Sequence, residues 1–236
     1  MTIPFCRQSR RTQLACIFLL CSVCFSGFNA LGQTETGKNS RLAEIVAQAK
    51  SLGLQQVEIP PVHITPTGLD DLATLTYNYS AVIASPVQIV SVPTKNGINT
   101  WFKFRKAEVL FVQNAVDQDE KLSSAPDSML PLKANEFLVV VSGGQVVIDG
   151  ITVIQKHPRS ISFKQGQTYL MFLHFESAEK LASLPALENS VFLVDAAGKL
   201  TPLVHNNSAL LQEVKNLYDN NLSSLKTALK QMKGVQ

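Results

Sequence analysis

The chain has 236 residues, of which 45% are hydrophobic and 17% are charged. This composition is typical of a folded globular protein and excludes a disordered one. The formal net charge of +3 comes from Arg7, Arg10 and Arg11, because the rest of the chain carries 18 basic and 18 acidic residues. A nearly neutral remainder gives no electrostatic reason to expect nucleic acid or anionic lipid as a partner.

The N-terminal segment has the order of a secretory signal peptide. The three arginines are followed by an apolar stretch from Leu14 to Phe25 and then by small residues. We predict a cleavable signal peptide over residues 1–32, cut between Gly32 and Gln33, and therefore a secreted or periplasmic protein. The alternative is an uncleaved membrane anchor, but the apolar core of about a dozen residues is shorter than the roughly 20 that a span needs.

All the cysteines lie inside this predicted signal peptide, at Cys6, Cys16, Cys21 and Cys24. The predicted mature chain therefore has no thiol with which to form a disulfide. Core packing alone has to stabilise it, which a chain of this length allows.

Residues 33–68 are predicted to hold one helix and a connection. Apolar residues recur at spacings of three and four from Leu42 to Leu52, and Gly53 follows as a stop, which predicts an amphipathic helix over 40–52. Four prolines and glycines between 54 and 68 favour an extended connection. A short helical turn is expected at 68–75.

From residue 80 the hydrophobic period changes to two, which predicts strands. Asn96-Gly97 and Asp149-Gly150 are typical of tight hairpin turns. Ser177 precedes residues of helix-forming composition, which predicts a short helix near 178–184. The predicted strands cover 80–92, 99–112, 136–142, 145–148, 151–155, 160–163, 168–175, 191–194 and 199–204.

This pattern predicts a mainly β fold, a small antiparallel barrel or sandwich over residues 69–204 with flanking amphipathic helices, α+β overall. One shared core is expected to receive the inward side chains. They are Phe102, Phe104, Val139, Val141, Phe163, Leu170, Phe172, Phe192 and Val194.

Residues 205–236 return to a helical period. The apolar stripe Leu211, Val214, Tyr218, Leu222, Leu225, Leu229 and Met232 has spacings of three and four, which predicts one amphipathic helix over 208–233. The stripe packs either on its own barrel, where the N-terminal helix would share the surface, or on another chain.

Several segments of the chain resemble a group of uncharacterised exported bacterial domains. The likeness lies in residues 72–87, 100–110, 161–173 and 191–203, and covers roughly 69–204 in order and spacing. It implies a small barrel similar to the OB-fold or netrin-like (TIMP-like) type. Netrin-like protease inhibitors depend on an N-terminal cysteine, and the predicted mature chain has none, so the resemblance does not extend to that activity.

No combination of residues predicts catalysis, a cofactor or a metal site. The histidines His63, His157, His174 and His205 are isolated in sequence, and no serine or cysteine lies in a nucleophile motif. Gly143-Gly144 lacks the lysine of a phosphate loop.

An aromatic ligand platform is one interpretation of Tyr79 and Trp101, together with Phe102 and Phe104. Core packing is the other interpretation of the same residues, since Phe102 and Phe104 share one face of a strand.

Two functions remain open from sequence. The first is a non-catalytic binding module of the envelope or extracellular space, with a protein or glycan partner, no nucleic acid, and self-association through the C-terminal helix as an option. The second is an exported hydrolase of an unrecognised type, which would use barrel carboxylates. The candidates for it are Asp70, Asp71, Glu108, Glu136 and Glu176.

Overall fold

The computed structural model describes residues 41–61, 71–95, 97–113, 124–156, 161–176, 180–184, 190–204 and 208–234. The predicted signal peptide and its cleavage site lie outside these residues, as do Asp70, His63, His157 and His205. Within the described part of the chain, no helix is both long and apolar enough to cross a membrane.

Five strands close into a barrel, in the order β7–β2–β3–β4–β8, and β8 pairs again with β7. The barrel strands are β2 (Ser80–Pro93), β3 (Ile98–Phe111), β4 (Glu136–Ser142), β7 (Thr168–Glu176) and β8 (Leu181–Ser183). Neighbours are antiparallel except β4 and β8, which run parallel. Two further strands, β9 (Val191–Val194) and β10 (Leu200–Pro202), extend the sheet from β7. The mainly β fold with flanking helices is confirmed, and the closed barrel is compatible with an OB-like one.

Aromatic side chains fill the barrel interior. The ring of Phe104 lies 5.5 Å from that of Phe137 and 5.0 Å from that of Phe163, between centroids. Phe163 also packs edge-on against Phe102 and Tyr169. Five strands enclose a space that such side chains fill, as in other small barrels. The interior is therefore a packed core, and contact with a partner falls to the outer surface.

The single shared core that we predicted is in fact two cores, separated by strand β7. Tyr169, Met171 and Leu173 face the barrel interior, whereas Leu170 and Phe172 face outward into a second cluster. Successive side chains of a strand point to opposite faces, so a strand buried on both faces supplies two cores. Of the nine predicted residues, five lie in the barrel and the others lie in the outer cluster, namely Leu170, Phe172, Phe192 and Val194.

The outer cluster is covered by helices. They are α2 (Leu72–Asn78), α3 (Ala209–Tyr218) and α4 (Leu222–Met232). The predicted stripe therefore packs on its own barrel, with Val214, Leu225 and Leu229 buried, while Met232 remains exposed. Self-association through these helices stays a prediction.

The single C-terminal helix was a wrong prediction, because the chain breaks between α3 and α4. Asp219 and Asn220 both adopt a left-handed conformation with φ of 51°. Asn221 then caps α4, and its Oδ1 accepts hydrogen bonds from the amides of Ser223 and Ser224. Asp and Asn tolerate the left-handed region better than other non-glycine residues, and they are good helix caps.

A second, three-stranded sheet lies outside the barrel, in the order β1–β6–β5. Its strands are β1 (Gln56–Ile59), β5 (Gly144–Ile148) and β6 (Ile151–Gln155). Helix α1 (Arg41–Ser51) packs on it through Leu42, Val46 and Ala49. Our expectation that the N-terminal helix shares the surface of the C-terminal stripe was therefore wrong, since each helix covers a different sheet.

Two short predictions also differ from the structure. Of the helix predicted near 178–184, residues 178 and 179 lie outside the described residues and Lys180 is helical, but residues 181–183 form strand β8, because pairing to β4 and β7 closes the barrel there. Residues 161–163 belong to no strand, although Ile161 and Phe163 are buried in the barrel core. Burial in the barrel core explains the strand-like pattern of residues 161–163.

Candidate anion-binding surface

The two residues of the predicted ligand platform lie in different clusters. Trp101 is 4% exposed and packs with Leu138 and Leu181 on the outer face of the barrel. Tyr79 is half-buried against the cluster beneath the C-terminal helices. The structure does not bring the two rings together, and a ligand at either of them stays a prediction.

A segment that we call the strap, residues 124–132, covers Trp101. Met129, at 0% exposure, and Ala125 pack in the Trp101 cluster together with Leu132. The strap contains one short 3-10 turn at Asp127–Met129, whose start has no side-chain cap. Gln88 on β2 donates a hydrogen bond of 3.0 Å from Nε2 to the Ser128 carbonyl. Apolar contacts thus hold the centre of the strap against Trp101.

Basic residues continue the Trp101 row along the same face of β3. Lys103 is opposite Leu138 on β4, and Arg105 is opposite Glu136. Directly opposed residues of an antiparallel pair lie on one face of the sheet, so both cations face outward beside the strap. The side chain of Arg105 is 51% exposed, and Lys103 is half-buried.

Glu136 is the acidic centre of this region and is 4% exposed. Its Oε2 accepts a hydrogen bond of 3.2 Å from the Lys133 amide, and its Oε1 lies 3.5 Å from Arg105 Nη2. Burial by itself would raise the pKa of Glu136. The Lys133 amide, the charge of Lys133, the Arg105 hydrogen bond and the charge of Lys103 outweigh burial and hold that pKa below its ordinary value.

Lys180, just before β8, completes the group. Its Nζ donates hydrogen bonds to the Lys133 carbonyl at 2.8 Å and to the Ala134 carbonyl at 3.4 Å. We call Lys103, Arg105, Lys133 and Lys180 the basic surface. Three of these cations act on one buried carboxylate and Lys180 binds the adjoining backbone, which gives the described residues here an excess of positive charge and suits them to bind anions.

Two other described carboxylates of the hydrolase hypothesis, Asp71 and Glu108, have structural roles. Asp71 Oδ1 caps α2 by accepting a 2.6 Å hydrogen bond from the Thr74 amide, and the Thr74 amide and hydroxyl lower the pKa of Asp71. Glu108 pairs with Lys226 of α4. Glu176 is buried near the end of β7. A carboxyl group with a lowered pKa is a poor general acid.

Among the described residues, His174 is the only histidine. Within the described ranges, no group of three or more His, Cys, Asp or Glu side chains is placed to hold a metal ion. His174 is half-buried and opposite Ser183 of β8. Of the predicted candidates, the structure therefore brings Glu136, but not Asp71 or Glu108, into the basic surface.

Sequence reasoning missed the basic surface. Lys103 and Arg105 alternate with Phe102 and Phe104, and this alternation is itself a signal of one basic and one aromatic face. Lys133 and Lys180 had no such signal, since only barrel closure brings β8 and the start of β4 together.

Comparisons with protein-family models, with curated proteins and with solved structures found no match for this chain.

Proposed function

We propose that this chain is an exported, non-catalytic binding module that recognises an acidic glycan through the basic surface of its OB-like barrel. The observation that supports this most directly is the convergence of Lys103, Arg105 and Lys133 on the buried Glu136 carboxylate. Glu136 binds the Arg105 side chain, and its single charge neutralises only one of the three cations. The remaining positive charge is available to a ligand from outside.

A polar ligand suits this surface better than a protein partner does. Protein interfaces have an apolar, desolvated centre. The apolar centre of this face is Trp101 with its neighbours, and the strap covers it, whereas the accessible side chains beside the strap are polar or charged. Carboxylate groups spaced along a sugar polymer would match a row of cations, with Arg105 as the bidentate partner.

The rest of the barrel supports binding rather than catalysis. The interior is filled by aromatic rings, and Asp71 and Glu108 serve a helix cap and an ion pair.

Export is part of the same proposal and rests on the order of charge, apolar core and small residues in 1–32. Mass spectrometry of the exported protein is expected to find Gln33 at the N-terminus, and an intact Met1 would contradict export by cleavage.

Binding can be tested by titrating the protein with polygalacturonate, which carries carboxylates on a sugar backbone. We expect saturable binding that weakens as salt rises, because salt screens exposed charges. Neutral dextran measures sugar recognition without charge, and poly-L-glutamate measures carboxylates without sugar. Tighter binding of poly-L-glutamate than of polygalacturonate would favour an acidic protein partner and contradict the glycan.

A double variant, Lys103→Ala/Arg105→Ala, tests the location. We expect it to weaken polygalacturonate binding by about 10-fold or more, since each charge contact contributes on the order of 1 kcal/mol. The matched control is Lys164→Ala/Lys215→Ala, which removes two exposed lysines from elsewhere on the chain. Equal loss of binding in both variants would show a response to net charge alone and would contradict this site.

A further inference from the structure

The strap leads directly into the basic surface. The strap ends at Leu132, and the next residue, Lys133, supplies a cation to the surface. The backbone of Lys133 is held on both sides, its amide by Glu136 Oε2 and its carbonyl by Lys180 Nζ. Lys180 therefore has two uses, as an anchor for the strap and as a charge for an anion.

Those two uses compete. An ammonium group that donates to the Lys133 and Ala134 carbonyls is partly committed to neutral acceptors. An anionic oxygen is the stronger acceptor, because it adds a direct attraction between opposite charges to the hydrogen bond. A bound carboxylate would draw Lys180 away from both carbonyls, so that Glu136 alone, through its amide and its Oε2, would hold the backbone of Lys133 at the end of the strap.

Apolar contacts hold the centre of the strap on the barrel. Met129 and Ala125 supply its buried contacts, and Gln88 supplies an exposed hydrogen bond to Ser128. Methionine is a flexible side chain that fills gaps and tolerates rearrangement. Movement of the strap would uncover Trp101 and the half-buried side chains Val90 and Val140 around it.

We infer that the strap is a displaceable self-ligand: anion binding at the basic surface releases it, and the uncovered Trp101 then stacks on a sugar ring of the same acidic glycan. This inference rests on the proposed function, since it deepens the ligand of that site. Trp101 lies in line with Lys103 and Arg105 on one strand face. A single extended ligand would cover all three, because alternate residues are roughly 7 Å apart along a strand.

Release of the strap can be measured directly by fluorescence, because Trp101 is the only tryptophan of the chain. In the free protein, we expect blue-shifted emission and weak quenching by acrylamide. Saturation with polygalacturonate should shift the emission wavelength of Trp101 and change its quenching by acrylamide by at least about twofold. Poly-L-glutamate is expected to release the strap without stacking, so that Trp101 becomes more exposed to quencher than it does with the glycan.

Two matched variants separate strap release from folding. Met129→Ser removes a buried anchor, and Leu130→Ser changes the neighbouring side chain, which is 38% exposed. If the closed strap opposes binding, Met129→Ser should increase Trp101 quenching in the free protein and bind polygalacturonate about 5-fold tighter, by reciprocal coupling. Leu130→Ser should change neither quantity.

The results divide cleanly between the two proposals. Salt-dependent binding with unchanged Trp101 emission and quenching would overturn the strap inference and leave the binding site standing. Absence of saturable binding would overturn both. If Met129→Ser does not fold, the Trp101 measurement on the unmodified protein, with and without polygalacturonate, still decides the inference.

Discussion

The two faces of strand β3 have opposite chemistry over the same few residues. Phe102 and Phe104 point inward and pack among other aromatic rings, while Trp101, Lys103 and Arg105 point outward. The inner face is complete within the chain, since its contacts are apolar and buried. The outer face has charges that the chain neutralises only in part. We therefore expect the inward residues of β3 to determine the stability of the fold and the outward residues to determine ligand binding.

The largest loss of stability is expected when the centre of the inner face is removed. Phe104→Ala deletes a fully buried ring that contacts Phe137 and Phe163. We expect the free energy of unfolding to fall by about 3–5 kcal/mol, measured by urea denaturation. The neighbour Lys103→Ala should change it by only about 0.5 kcal/mol. Similar losses in the two variants would show that both faces serve the core.

The C-terminal helices contain both buried and exposed leucines. Leu225 is 0% exposed against the barrel, whereas Leu217 is 67% exposed. Leu225→Ala should cost about 2–5 kcal/mol of stability, with the molecular mass in solution unchanged. Leu217→Ala should cost little in a melting experiment. A change of mass in the Leu225 variant without loss of stability would indicate that this stripe joins two chains.

The smallest expected effect on stability is electrostatic and concerns the outer face of the barrel. The lowered pKa of Glu136 means that its carboxylate stabilises the folded state at neutral pH. This contribution should be present above about pH 4.3, the ordinary glutamate value, and disappear as pH falls through the lower folded pKa.

Glu136→Gln provides the measurement for this effect. We expect the variant to be about 1 kcal/mol less stable at pH 7 and the difference from the unmodified chain to shrink below pH 4. Asp71 also titrates with a lowered pKa, but it contributes equally to both proteins. A difference that stays constant from pH 7 to pH 3 would contradict the charged role of Glu136.

Local patterns were sufficient to predict most of the strands. The boundaries of β4 and β6 agree with the period-two pattern, and the Asp149-Gly150 turn lies where it was expected, with positive φ at both residues. What failed depended on distant contacts. Residues 181–183 have helix-forming composition, yet they form strand β8 because they pair with strands β4 and β7. The residue types at Asp219 and after it indicated a helix break, since Asp and Asn favour one. The regular apolar spacing on both sides nevertheless predicted one continuous helix.

The candidate site shows the same limit more strongly. The near-zero charge of the predicted mature chain gave no reason to expect an anionic partner, because net charge says nothing about where charges meet. Lys103 and Arg105 are adjacent in sequence to the inward aromatics, but Lys133 and Lys180 join them only through the strap and barrel closure. Trp101 was a candidate from sequence, and its cover by Met129 follows from tertiary packing alone.

The most direct test of the central proposal is the salt dependence of polygalacturonate binding, measured for the unmodified protein and for Lys103→Ala/Arg105→Ala. For a linear polyanion, the slope of log affinity against log salt reports the number of cations that the ligand contacts. We predict that the double variant has a slope smaller by about two, with stability within about 1 kcal/mol of the unmodified protein. Identical slopes in the two proteins would contradict an anion-binding role for the outer face of β3.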